Sequence, residues 1–226
     1  MNVSQALQSR LSVRDFLPTP VPADVIRRVL TTASRSPSGG NVQPWHIDVV
    51  AGDRLAELKA IMQRRLAEVA AGDRSEQAEY DIYPKELVAP YRDYRFALGE
   101  AMYQRLGIPR DDKAGRLRWF ARNYAFFGAP MALFCSVDRR MGPPQWSDLG
   151  MYLQSVMLLL REEGLDSCAQ ECWAVYPQTI GQFIGMPPER MLFTGMAIGH
   201  RNPDHPVNAL ASDRAPLDAF ARFHGV

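Results

Sequence analysis

The stretch DLGMYLQSVMLLLREE, residues 148–163, constrains this chain more than any other part of it. Its length and composition suit a helix, yet its apolar side chains fall on nearly every side instead of along one stripe. A helix of that kind has to be covered all round, so it belongs at the centre of a core, and Gly164 ends it. A membrane span is excluded, because the apolar run 149–160 is broken by Gln154 and is too short to cross a bilayer. Three short runs read as strands that give cover: 45–51 (WHIDVVA), 129–137 (APMALFCSV) and 192–199 (LFTGMAIG). Helices are predicted over 3–9, from Asp24 to Ala33, over 53–71, 111–124 and 180–185. Asp24 is expected to cap the second of these, whose apolar face is Val25, Ile26, Val29, Leu30 and Ala33. Few strands and long helices interleave. The expected class is α+β, a small mixed β-sheet packed between helices.

The chain has 226 residues, more than the roughly 150 of a common domain. The surplus falls in two places. Residues 72–110 are polar and aromatic (Tyr80, Tyr83, Tyr91, Tyr94, Phe96, Tyr103) and read as an excursion from the core. Residues 201–226 carry three prolines among alternating polar and apolar side chains and read as an extended arm. A single domain over 1–226 is expected, with a lid excursion at about 72–128 and a C-terminal arm at about 200–226.

A net charge of +1 gives no bulk electrostatic reason to seek nucleic acid or an anionic membrane. The cations are uneven in kind: Lys59, Lys85 and Lys113 are the only lysines among 26 Lys plus Arg, so 23 are arginines. Arginine suits bidentate binding of phosphate or carboxylate. Cys135, Cys168 and Cys172 read as free thiols of a reducing compartment, and residues 1–7 lack the regions of a signal peptide, so a cytoplasmic protein is expected. No metal is expected, since the four histidines have no zinc-like spacing. There is no G-x-G-x-x-G, Walker loop, H-E-x-x-H or G-x-S-x-G.

Three segments carry candidate chemistry. In Arg10-Leu11-Ser12-Val13-Arg14 two arginines flank a hydroxyl and can fork onto one phosphate or anionic ring edge, although the same spacing also describes a solvated helix face. In SPSGGNVQPW, residues 36–45, Gly39 and Gly40 let backbone approach a ligand, while Asn41 and Gln43 offer donors and acceptors to an amide-rich heterocycle; an ordinary helix-to-strand loop is the alternative. GLDSCAQEC, residues 164–172, follows the most apolar helix, where a backbone N–H can meet a planar ligand, or where the chain simply turns.

Together these segments resemble the flavin-dependent nitroreductases, in order and spacing. Arg10-x-Ser12-x-Arg14 is similar to the family's opening R-x-S-x-R, and residues 36–45 to its P-S-x-x-N-x-Q-P-W loop. Residues 164–173 resemble the G-x-x-x-x-P-Q-E-x-W of the nitrobenzoate-reductase-like branch, and NYAFFGAP, residues 123–130, its N-x-x-F-F-x-A-P. Residues 199–208 and RAPL at 214–217 resemble the C-terminal strand and phosphate-binding tail.

The resemblance implies a nitroreductase-like fold, a homodimer, and one FMN at each interface site. It implies an NAD(P)H oxidoreductase in which hydride passes through flavin N5 to a nitroaromatic compound, or a quinone, by a ping-pong cycle. The implied cofactor contacts are Arg10, Leu11, Ser12, Arg14, Pro37, Ser38, Gly39, Asn41, Gln154, Ala169, Gln170, Glu171 and Arg214. Among them Arg10, Ser12 and Arg214 hold the phosphate, and Pro37, Ser38 and Asn41 come from the partner subunit. The implied catalytic pair is Arg14, at the N1/O2 edge, and Glu171, whose backbone N–H lies near N5. Tyr80, Tyr94, Trp119, Asn123 and Phe127 are the candidates to touch substrate, or else the excursion packs on itself. Two departures stand out: Ala169 takes the place of a common proline, and Ser212 that of a lysine, which leaves phosphate charge to Arg10 and Arg214. Other chemistry of the same family (dehalogenation, enoate reduction or oxygen-dependent flavin cleavage) and a non-catalytic flavin-binding role stay open.

Overall fold

Two runs with almost no polar side chain dictate the middle of the molecule. In the computed structural model, which describes residues 1–226, they form β2 (Met131–Asp138) and β4 (Arg190–Gly199). The two pair antiparallel, Met131 opposite Ile198 and Ala132 opposite Ala197. β1 (His46–Ala51) flanks β2 and β3 (Asp166–Gln170) flanks β4, giving the order β1-β2-β4-β3. A strand covered on both faces has no polar side to alternate, which is why β2 reads as a continuous apolar run. All three strand pairings are antiparallel, and the one parallel contact is a bridge between Ser12 and Ser167. The expected mixed character therefore reduces to that bridge. β3 is the strand that sequence reading did not resolve, because Asp-Ser-Cys-Ala-Gln is short and lacks strong β-formers.

Seven helices surround the sheet: α1 (Val3–Ser9), α2 (Ala23–Ala33), α3 (Gly52–Ala70), α4 (Tyr91–Arg105), α5 (Lys113–Ala121), α6 (Pro143–Glu162) and α7 (Pro177–Ile184). Asn2 caps α1, accepting from the Gln5 N–H at 2.9 Å while Gln5 reaches back to the Asn2 N–H at 3.0 Å. Asp24 does not cap α2. The helix starts one residue earlier, after Pro22, and Asp24 instead pairs with Arg28 at 2.6 Å one turn on.

One face of the sheet packs Leu133, Met196 and Ile198 against Ile26, Val29 and Ala33 of α2 and Leu149, Leu153, Val156 and Leu160 of α6. The other packs Phe134 and Ala197 against Leu55, Leu58 and Met62 of α3, with Phe126, Phe127, Trp173 and Ile180. Full burial of such side chains contributes about 1.5–3 kcal/mol each. Trp173 stacks on Phe126 at 4.4 Å and meets Phe134 edge-on at 5.3 Å. The indole fits because residue 195 is glycine: a Cβ there would lie 2.4 Å from Trp173 Cδ1. Trp173 follows β3 by three residues, so this packing also fixes where β3 ends.

α6 lies against the sheet as its composition demands, but one chain does not cover it all round. Met151 is 40% exposed, and Met157, Leu158 and Leu159 are half-buried. The excursion holds α4, which sequence reading missed, then α5 and a 3₁₀ turn (Arg122–Gly128). No residue of α4 is buried, and Tyr91, Tyr94, Phe96 and Leu98 are exposed. The arm leaves Leu217, Phe220 and Phe223 uncovered. No helix is long and apolar enough to cross a membrane.

Candidate functional site

Residues 10–14 are extended, not helical, so alternation decides where they point. Val13 is fully buried and Leu11 packs on the core, which turns positions 10, 12 and 14 to the opposite side. The Val13 N–H donates to Ser167 O at 3.1 Å, fastening this strap to β3. The Arg14 N–H donates to Asn208 Oδ1 at 2.9 Å, and Asn208 Nδ2 donates to Asp15 O at 2.7 Å and Asn202 O at 2.9 Å. Asn208 is buried; sequence reading missed it because a tail asparagine announces nothing by itself.

Arg10, Ser12, Arg14 and Arg214 line one cavity of about 480 Å³, with Leu7, Leu98, Leu210 and Ser212 on its walls. None of these three arginines pairs with a carboxylate. Arg14 Nη1 donates to Ser12 O at 3.2 Å, and Arg214 Nη1 to Ser212 Oγ at 2.6 Å and to the Ser212 and Asp213 carbonyls. Burial and then the nearby Arg214 charge lower the pKa of Arg10. Three uncompensated cations converging on one hollow favour an anion there. The nearby Cys168 is buried and does not line the cavity, and burial pushes its thiol upward in pKa.

Beside the cavity runs the free edge of β3. Ser167 O faces away from β4 to meet the strap, so by the two-residue period the backbone groups of Ala169 face the same open side, and Glu171 follows where the strand gives way to a 3₁₀ turn. Ala169 is exposed. The Gln170 side chain turns inward: its amide donates to Asn123 O at 2.8 Å and accepts from Trp173 Nε1 at 3.4 Å, so it offers nothing to the open side. The edge therefore presents peptide N–H and C=O groups to a flat ligand lying next to an anion site.

The loop at 36–45 is strained. Gly40 (φ 57°), Asn41 (φ 57°) and Gln43 (φ 49°) all occupy the left-handed region, two of them with a side chain to accommodate. Ser38 Oγ accepts from the Gln43 N–H at 3.0 Å, Asp148 Oδ2 from the Gly39 N–H at 3.3 Å, and Ser36 donates to Ser155 at 2.8 Å, so α6 braces the loop from behind. Pro37, Gly39 and Asn41 are exposed and Ser38 is half-buried. None of the loop lines the arginine cavity, and neither does Gln154 on α6. The structure brings together Arg10, Leu11, Ser12, Arg14 and Arg214, and sets the loop apart from them.

The nitroreductase family model matches residues 7–200. The chain belongs to the nitroreductase family. A 4-nitrobenzoate reductase of Pseudomonas putida is 33% identical over 96% of this chain and 93% of its own length. A second 4-nitrobenzoate reductase, from Nocardioides sp. (strain LMS-CY), is 32% identical over 96% of this chain and 87% of its own. Among solved structures, the FMN and NADPH-dependent nitroreductase NfnB from Sphigopyxis sp. strain HMH superposes with a TM-score of 0.95 at 47% identity, covering both chains completely. The FMN-dependent nitroreductase NfnB from Mycobacterium smegmatis, solved in complex with NADPH, gives 0.91 at 27% identity over 99% of this chain and 100% of that one.

In this member of the family the five aromatic and amide candidates divide by burial. Trp119 (7% exposed) and Phe127 (1%) are core side chains, Trp119 stacking near His205 and Phe127 giving its carbonyl to the Phe16 N–H. Asn123 is engaged with Gln170 and donates to Phe120 O at 2.8 Å. Tyr80 packs on Trp146 and Phe193 and donates its hydroxyl to Phe193 O. Tyr94 is half exposed on α4. Tyr83 joins the group unforeseen, under the Arg95 guanidinium at 4.3 Å. Burial and the nearby Glu171 carboxylate push the hydroxyls of Tyr80 and Tyr83 up. Glu171 is thus flanked by two neutral phenols at the end of the open edge.

Proposed function

We propose that this protein is an FMN-dependent NAD(P)H oxidoreductase that reduces nitroaromatic compounds, and quinones as secondary acceptors. The observation that carries the reading is the cavity of three arginines without a carboxylate, set against the open edge of β3. This donor set fits FMN: a dianionic phosphate for the arginines and Ser12, and a planar ring with alternating donors and acceptors for the peptide edge. The family and the FMN-dependent relatives point the same way.

Bound FMN supplies two-electron hydride chemistry between a nicotinamide and a nitro acceptor. The chain's own residues bind, orient and seal. Arg10, Arg214 and Ser12 would hold the phosphate. Arg14, fixed through its backbone to Asn208, is the cation suited to stabilise negative charge on the ring. The Ala169 and Glu171 backbone would set the ring's height along the edge, and Leu11 would wall it. Pro37, Ser38, Gly39, Asn41 and Gln154 would complete the site from a second copy, since in one chain they stand away from the cavity. That requirement, with the uncovered apolar surfaces of α4, α6 and the arm, supports a homodimer. The excursion at 72–128 would act as the lid, with Tyr80, Tyr94 and Asn123 nearest to substrate and Trp119 and Phe127 supporting them from the core. No side chain here is assigned as general acid, and water can supply protons. Three free cysteines suit the cytoplasm.

The purified protein is expected to be yellow and to release FMN on denaturation. It is expected to oxidise NADH or NADPH with 4-nitrobenzoate as acceptor and to sediment as a dimer. Colourless protein that binds no added FMN sinks the reading.

A further inference from the structure

A buried carboxylate stands at the start of β3, outside the arginine cavity. Asp166 opens β3, its side chain 3% exposed, and it is saturated with arginine. Arg201 grips it through a fork, Nε to Oδ2 at 2.8 Å and Nη2 to Oδ1 at 2.5 Å, and Arg161 Nη1 reaches Oδ1 at 2.8 Å. Neither arginine spends all its donors there. Arg161 Nε donates to Ser9 Oγ at 3.3 Å, and Arg201 Nη2 donates to Ser9 O at 3.2 Å. Both contacts converge on the residue immediately before Arg10.

That convergence matters because α1 has little else to hold it. Of its seven residues only Ala6 is buried, so apolar packing contributes little to fixing its C-terminal end. Arg10 is the C-cap, its N–H donating to Ala6 O at 3.0 Å, and its side chain points into a cavity that already holds Arg214. Two like charges brought together repel, and a loosely anchored helix end yields to that repulsion by swinging one of them away.

We propose that Asp166 is a positioning residue for the anion cavity: with Arg161 and Arg201 it clamps Ser9 and so holds Arg10 against Arg214, ready for a phosphate. The proposal rests on the FMN reading above and adds a device to it. Asp166 and Arg201 do not line the anion cavity, so they act on the phosphate through the chain they hold: α1 at Ser9, and the strap where Ser167 meets Val13 and Arg201 bridges Phe16.

The test compares two ligands that share a ring and differ in the phosphate. Apoprotein is titrated with FMN and with riboflavin, following flavin fluorescence. Wild-type protein is expected to prefer FMN. Asp166→Asn is expected to weaken FMN by about tenfold while riboflavin changes by less than about twofold. Arg201→Lys keeps the charge but cannot reach Asp166 and Ser9 O together; it is expected to lose part of the preference in the same direction, and it decides the matter if Asp166→Asn does not fold. Equal weakening of both ligands, or an unchanged preference in a folded variant, overturns the positioning role and leaves the FMN reading standing. A wild-type protein that binds neither ligand overturns both.

Discussion

Two arginine clusters lie at opposite extremes of charge balance. At the base of the excursion, Arg65 alone is met by three carboxylates and a hydroxyl: Glu68 at 3.0 Å, Glu76 at 3.1 Å, Asp73, and Ser75 Oγ at 2.9 Å. Glu76 also accepts from the Gln178 and Thr179 N–H groups, both at 2.9 Å, and so ties the excursion's start to the first turn of α7. At the cavity, Arg10, Arg14 and Arg214 share no carboxylate at all. The first cluster is complete and has nothing left to offer a ligand. The second is incomplete, and the charge it lacks describes what it binds. Arginine content does not separate a structural site from a binding site; the partners do.

The sharpest way to break this contrast is to empty the cavity. Replacing Arg10 and Arg214 together with Ala is expected to weaken FMN by about 100-fold or more, two charge-assisted contacts at about 1.5–3 kcal/mol each. The apoprotein's Tm is expected to hold, because the pair repels; a collapsed Tm with intact FMN affinity reverses the assignment. Next comes Arg14→Ala, expected to slow nitrobenzoate reduction by roughly tenfold or more with FMN still bound stoichiometrically; unchanged turnover at saturating substrate removes its charge-stabilising role.

At the other cluster the effects fall on the fold. Glu76→Ala is expected to cost about 3 kcal/mol in urea unfolding, through a lost helix cap and a broken buried pair, with FMN affinity nearly unchanged. If FMN affinity drops as far as stability does, the two regions are not separable. The smallest effect is a pH one. Arg65's hydrogen bond, then the Ser75 N–H, hold Asp73 down to about 2 from the usual 3.8. A depressed carboxylate stabilises the fold above its unfolded pKa and loses that contribution as pH falls through the folded one. The Tm gap between wild type and Asp73→Asn should therefore narrow from pH 6 to pH 3, and a constant gap contradicts it.

How much of this was legible in the sequence depended on whether a residue's role is local. β2 and β4 were readable because burial on both faces leaves an unbroken apolar run. The strap was readable as a motif, though its extended geometry was not: Arg10-x-Ser12-x-Arg14 fits either a helix face or an alternating strand, and only the burial of Val13 decides. β3 was missed because five small and polar residues owe their conformation to pairing with β4. α4 was missed because it has no buried face and so no 3.6-residue pattern. Asp166 and Asn208 were invisible for another reason. Each depends on a partner far along the chain, Arg201 at 35 positions for one and Arg14 at 194 for the other, and no local spacing encodes that.

The strap's bridge to Ser167 has a consequence for solubility. An open strand edge is a template on which another chain can add a strand. This sheet needs such an edge for ligand, yet the strap closes its first part at Ser12 and Ser167, and the 3₁₀ turn from Glu171 to Val175 breaks it at the other end. What remains is a stub around Ala169. It is long enough to meet one flat molecule and too short to seed a growing sheet, so the exposure that serves binding carries little aggregation hazard.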